Sequence, residues 1–152
     1  MIGNSPQGDL AMPSDLQPLG LAIKRVQHKH HRTLDAALIE IGTTLAQWDA
    51  IRAIARSPES SSHKLAGLTF QTDQSFGSLA NRLVDRGLIR RVAGVGRAIL
   101  HHLTPDGEAM LAAGNAVADR ILAASFAPLA KTERQQLQAL LAKLLGDEPP
   151  RG

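Results

Sequence analysis

The stretch Ser60–Arg97, SSSHKLAGLTFQTDQSFGSLANRLVDRGLIRRVAGVGR, constrains this chain most, because its period changes partway along. Phe76, Leu79, Ala80 and Leu83 recur at i, i+3, i+4 and i+7, which predicts an amphipathic helix over about Asp73–Arg86. Its other face carries Gln74, Ser75, Ser78, Asn81 and Arg82. Gly87 is a natural stop, since glycine adopts the left-handed conformation without a Cβ penalty. Leu88-Ile89 then opens an extended segment with Arg90-Arg91, Gly94 and Gly96 supply a turn, and Ala98–Leu103 returns. Upstream, Leu65, Ala66 and Leu68 give a shorter helix a small apolar face, and the chain turns at about Thr69–Thr72. Helix, turn, helix and basic hairpin together make a winged helix-turn-helix, whose second helix fits the major groove of DNA.

Long helices flank this module. From about Asp15 to Ile41, Leu19, Ile23, Val26, His30, Leu34, Leu38 and Ile41 form one stripe, with Pro18 tolerated in the first turn, Ser14 or Asp15 as cap and Gly42 as stop. A helix of this length spans about 40 Å, more than a small winged helix can cover, so much of the stripe is expected to meet another chain. Thr44-Leu-Ala-Gln47 reads as a capping box for a helix over Leu45–Arg56 that buries Trp48, Ile51 and Ile54. Thr104-Pro105-Asp106-Gly107-Glu108 starts a helix running to Ser125 or Phe126, with Thr104 as cap and acids at the positive end. A last helix, about Lys131–Leu145, carries Leu137, Leu140, Leu141 and Leu144 on one face and closes at Gly146. Terminal helices with uncovered leucine stripes imply a homodimer.

Composition narrows the function. The chain has 152 residues, enough for one domain with an extension, and only one Trp, three Phe and no Tyr, so Leu, Ala and Ile carry the packing. Net charge is +3, but Arg82, Arg86, Arg90, Arg91 and Arg97 gather in the winged module, the footprint of a phosphate-binding surface. The absence of cysteine excludes disulfides, cysteine-ligated zinc and a thiol switch. No apolar run reaches the ~20 residues of a membrane helix, and residues 1–14 lack a signal-peptide core, so a cytoplasmic protein without a membrane partner is expected. His28, His31 and Asp35 share a helix face at loose metal-ligand spacing, but nothing completes a site, so neither metal nor cofactor is expected. His101 and His102 are adjacent on a strand and must point to opposite faces. No nucleophile–base arrangement, phosphate loop or paired carboxylates are present, so no catalytic residue is named.

The order TTLAQWDAIRAIA…KLAGLTF…LANRLVDRGLIRR…GRAILHHLTPDGEAML…LLAKLL resembles the multiple antibiotic resistance regulator (MarR) family over about residues 16–146. Its parts are weak singly and strong together: Thr44/Gln47/Trp48, Leu65-Ala66, Leu83 through Gly87-Leu88-Ile89 with Arg91, Arg97-Ala98, Leu103-Thr104 and Gly107. The resemblance implies a triangular, mostly helical dimer with a small β-wing, in which a winged helix-turn-helix is flanked by N- and C-terminal dimerisation helices. It implies a transcriptional regulator, usually a repressor, that binds double-stranded DNA at a pseudo-palindrome. Many members release DNA when a small aromatic or phenolic ligand enters between the dimerisation helices and the DNA-binding lobe.

Carried over by position, the resemblance gives a flexible tail at 1–14, a dimerisation region at 15–42 and 105–146, the DNA-binding domain at 43–104 and a frayed end at 147–152. DNA contacts are expected from Thr72, Asp73, Gln74, Ser75, Gly77, Ser78, Arg82, Arg90 and Arg91, with Arg97 as the wing's minor-groove arginine. Val95 stands where the family usually has an aspartate, so the pair that stiffens the wing is missing. The implied pocket comprises His30, Leu34, Trp48 and Ile51, and the implied dimer interface Leu19, Ile23, Leu137, Leu140, Leu141 and Leu144. The alternative is a helical protein-interaction module that keeps the fold without sequence-specific DNA binding.

Overall fold

The computed structural model describes residues 15–147; the expected tail at 1–14 and residues 148–152 lie outside the described residues. The elements run α1 (Leu16–Glu40), α2 (Leu45–Arg56), α3 (Ser62–Leu68), α4 (Asp73–Asp85), β1 (Ile89–Ala93), β2 (Ile99–Leu103), α5 (Pro105–Phe126) and α6 (Lys131–Leu145). Every expected element is present, and the ends expected for α1, α2, α4, β2, α5 and α6 fall within two residues of those observed. The two strands form one antiparallel ribbon with Ile89 opposite Leu103 and Arg91 opposite His101.

Local chemistry sets most boundaries. The hydroxyls of Thr44, Ser61, Thr72 and Thr104 accept from backbone N–H groups three residues on, at the starts of α2, α3, α4 and α5. α4 ends as a Schellman turn: Gly87 has φ +71°, and the Leu88 N–H returns to the Leu83 carbonyl at 2.9 Å. Two cap details differ from expectation. The Asp15 side chain makes no cap bond, and Gln47 does not reach back to complete a capping box. Its Oε1 instead accepts from the Thr43 hydroxyl and the Arg86 guanidinium, because α4 ends beside the α1–α2 loop and offers a stronger, charged donor.

The interior is two cores joined through α2. Ile51 and Ile54 of α2 pack with Leu65, Phe76, Leu79, Leu83, Leu88 and Ile89 beneath the recognition helix and wing. Leu45 and Trp48 of the same helix pack with Leu34, Leu38, Val117 and Ala118, tying it to α1 and α5. Leu111 touches both clusters. Leu68 is half exposed, because α3 is only seven residues long and its apolar face is filled by Leu65 and Ala66.

The single chain leaves large apolar surface uncovered. Leu19, Ile23 and Val26 on α1 are about half exposed, and α6 buries none of its residues, with Leu140 and Leu144 projecting outward. The expected stripe of α1 is therefore split. Its C-terminal part, Leu34 and Leu38, is core, and its N-terminal part is bare.

Trp48 fits only because α5 has no side chain at position 114. A Cβ there would lie 2.2 Å from the Trp48 Cδ1 atom. Gly114→Ala is expected to destabilise the fold by about 1–3 kcal/mol through overpacking, although alanine is the better helix former. Urea unfolding read by far-ultraviolet circular dichroism checks this; a midpoint at or above wild type would contradict it.

Candidate nucleic-acid interface and adjoining cavity

α4 is held by its apolar face and leaves a polar face free. Phe76, Leu79, Ala80 and Leu83 are buried, whereas Gln74, Ser75, Ser78, Asn81 and Arg82 are exposed, as the helical period requires. The expected DNA-contact residues divide by what else they do. Gln74, Ser75 and Ser78 keep free side chains among the described residues, and Arg82, Arg90 and Arg97 make no ion pair or hydrogen bond there. Thr72 is occupied in capping α4. Asp73 is paired with His63 of α3 at 2.9 Å. The Arg91 guanidinium donates to Asn81 Oδ1 at 2.7 Å, fastening the wing to α4. Gly77 is half-buried, with open space where a Cβ would point.

Arg86 departs from the expected phosphate-binding cluster. It donates to Gln47 Oε1 and to the Gly42 carbonyl, both at 2.5 Å, and so belongs to the joint between α4 and the α1–α2 loop. At the wing tip Val95 is almost fully exposed, and among the described residues no carboxylate pairs with Arg97. The hairpin is secured at its base instead, where the Thr104 hydroxyl donates to the Gly87 carbonyl at 2.6 Å.

The two adjacent histidines take opposite faces, as pleating demands. His101 lies under the wing, 2% exposed, edge-on to Phe76 with ring centroids 6.1 Å apart. Neither ring nitrogen has a hydrogen-bond partner. Burial holds its pKa below the ordinary 6.5, Arg91 and His102 push the same way, and the nearby Ser60 backbone offsets them in part.

A cavity of about 910 Å³ opens between α1, α2, α5 and α6. His30, Leu34 and Trp48 line it as expected. Ile51 does not: it is fully buried in the core beneath α4, although it is only three residues from Trp48 and so on a neighbouring part of the α2 surface. His30 is half-buried, with Nε2 2.5 Å from the Ser125 hydroxyl and its ring edge-on to Phe126. Ile23, Leu137 and Leu141, expected at a dimer interface, also face this space. Arg52 and Asp49 were not anticipated. The Arg52 guanidinium sits over the Trp48 ring, 4.3 Å from its centroid, at the i, i+4 spacing that could have flagged it. Burial raises the Asp49 pKa, while Arg52 and His31 pull it back.

Two other features were missed. Phe70, in the α3–α4 turn, borders the cavity and is fully exposed. Lys24, Arg25, Lys29 and Arg32 form an exposed basic face on α1, legible as a run from 16 to 34 with no acidic residue. Asp35, the third residue of the loose metal-ligand pattern, accepts the Leu45 N–H at 2.9 Å, and no three His, Asp or Glu side chains converge among the described residues. No described helix is long and apolar enough to cross a membrane.

A helix-turn-helix with a fastened basic wing and an exposed polar recognition face defines a winged-helix DNA-binding regulator. The comparisons agree. A model of the MarR family matches residues 41–98. The HTH-type transcriptional repressor Rv2887 of Mycobacterium tuberculosis is 31% identical over 136 residues, spanning 88% of this chain and 98% of the relative. This chain belongs to the MarR family of transcriptional regulators. The crystal structure of Rv2887 with salicylic acid superposes with a TM-score of 0.70 at 31% identity over 84% of this chain and 96% of that one. A probable transcriptional regulator from Pseudomonas aeruginosa gives 0.72 at 33% identity over 83% and 96%. Mutant E. coli MarR complexed with operator DNA gives 0.78 at 23% identity over 86% and 96%, a likeness of fold.

His101 makes stability depend on pH. With its folded pKa lowered, the unfolded chain takes up the proton more readily. The stabilisation is fully present above about pH 6.5 and is lost as pH falls through the unfolded value toward the lower folded one. Urea midpoints at pH 7.5 and 5.5 are expected to differ more for wild type than for His101→Leu; equal differences would remove His101 as the source.

Proposed function

We propose that this chain is a homodimeric repressor that binds a pseudo-palindromic operator in the cytoplasm and is released by an aromatic or phenolic acid. The observation that carries this is the free polar face of α4 beside three uncommitted arginines. On this reading Gln74, Ser75 and Ser78 meet base edges from the major groove, with Gln74 suited to adenine. Arg82 and Arg90 hold phosphates, and Arg97 enters the minor groove at the wing. Thr72, Asp73, Gly77 and Arg91 act more indirectly: they cap α4, orient its start, let its backbone approach the duplex and brace the wing.

The bare stripe of α1 and the bare leucines of α6 support the dimer, because a monomer gains nothing from exposing two contiguous apolar faces. Residues 15–42 and 105–146 then form the dimerisation region and 43–104 the DNA-binding domain. Two α4 helices related by a two-fold axis would sit about 34 Å apart, one turn of DNA. The cavity supports the effector. It combines the Trp48 and Phe126 rings with the Arg52 and Arg56 guanidinium groups, apolar walls and cations together, which suit an aromatic carboxylate, and His30 adds a hydrogen-bonding ring. The relative Rv2887 has been crystallised with DNA and with p-aminosalicylic acid.

Titration of DNA flanking its own gene at two salt concentrations tests the reading. A specific complex that survives competitor DNA and weakens with salicylate is expected. Arg97→Ala should lower affinity and reduce the slope of log K against log salt by about one; unchanged affinity would remove the wing from the interface. Wholly salt-labile binding with no preference among duplexes would favour the protein-interaction module, a reading that Asp73, tied up with His63, and Val95 keep open.

A further inference from the structure

Phe70 closes α3 and leaves its ring in water. Its backbone lies at φ +55°, in the left-handed region where glycine or asparagine is usual and where a bulky side chain is strained. Its ring is 99% exposed, so the apolar surface of a phenylalanine stands in water. The backbone cost is returned at the helix end, where the Phe70 and Gln71 N–H groups close α3 on the Gly67 and Ala66 carbonyls as a Schellman turn, but the exposure is not, because Phe70 joins neither hydrophobic cluster among the described residues.

The place of the residue indicates a function. Phe70 borders the 910 Å³ cavity that also holds Trp48, Arg52 and Phe126. It also borders a smaller hollow of about 280 Å³ with Asp49, Arg52 and Leu68. Two residues further on, Thr72 caps α4 through the Ser75 N–H. The turn between them is pinned only to the end of α3, by Phe70 N–H to the Gly67 carbonyl at 3.3 Å and Gln71 N–H to the Ala66 carbonyl at 2.9 Å. One short segment therefore touches the cavity at one end and fixes the start of the recognition helix at the other.

We propose that Phe70 is an effector contact and the link through which an occupied cavity moves α4. This rests on the reading of the cavity as the site of an aromatic acid. Such a ligand covers the exposed ring, and the Phe70–Thr72 turn follows it. The coupling arises because the ring contact forms in one arrangement of the turn and not in the other, and a ligand shifts an equilibrium only by such a difference in affinity. The aromatic walls of the cavity favour an aromatic effector as the occupant over a second copy of the chain or the DNA backbone.

The test uses the full chain, salicylate and p-aminosalicylate as probes, and Phe70→Asn with Phe70→Leu as its partner. Asparagine tolerates the left-handed backbone, so loss of folding will not mask the result. Calorimetry gives the affinity for each acid, DNA titration gives the ratio of affinities without and with saturating acid, and sedimentation gives the oligomeric state. For Phe70→Asn an affinity for the acids reduced about tenfold and a DNA ratio that collapses toward one are expected, with partial recovery in Phe70→Leu. A variant that binds both acids and releases DNA like a responsive wild type overturns the role of Phe70 alone. Loss of the dimer, or weaker DNA binding with no change in the ratio, assigns the ring to a second copy or to the duplex and also overturns it. A wild type that binds DNA but neither acid overturns the effector reading, and the proposal falls with it.

Discussion

The seating of Trp48 in the notch at Gly114 is the contact on which the rest of the molecule depends. It locks α2 against α5 from one side, while Ile51 and Ile54 bind the same helix into the winged lobe from the other. A twelve-residue helix thereby belongs to two cores at once. Any displacement between the long helices and the recognition helix must be carried by α2 or by the connections around it. The cavity lies against this helix, with Trp48, Asp49, Arg52 and Arg56 all on its wall. The cavity is therefore bounded by the helix that both cores share.

Around that helix, polar contacts tie the wing and α4 to the rest of the fold. Arg86 ties the end of α4 to the α1–α2 loop, Arg91 ties the wing to Asn81, and Thr104 ties the second strand to the Gly87 carbonyl. These contacts brace the base of the wing, where a carboxylate beside Arg97 would have braced its tip. His101 adds an apolar-style contact with Phe76 from an unpaired imidazole. It is tolerated because the neutral ring packs well, and its lowered pKa makes the wing–helix seam sensitive to acid.

Much of the fold was legible because strong local signals agreed. Threonine caps at Thr44 and Thr104, the Gly87 stop and a clean change of period placed the ends of α2, α4 and α5 to within two residues, for these effects act within one turn. The polar face of α4 followed from its buried face. The cavity was less legible. Ile51 and Trp48 are both apolar and three residues apart on a short helix, and nothing local says which lobe each will enter. Arg86 shared the composition of its neighbours Arg82 and Arg90, yet a carbonyl and an amide brought close by the fold captured it. Phe70 reads as an ordinary apolar residue until its backbone angle and exposure are seen.

The sequence by itself determined the elements, their order, the winged helix-turn-helix and the identity of the face that α4 leaves free, because periodicity, caps and stops are short-range physics. Tertiary structure decided which arginines remain available, that Asp73 is held by His63, that α2 serves two cores, and that Trp48, Arg52 and Phe70 surround one space. Those outcomes depend on groups 10 or more residues apart along the chain meeting across helix–helix contacts, for which no local pattern exists; the His30–Ser125 hydrogen bond joins residues 95 apart.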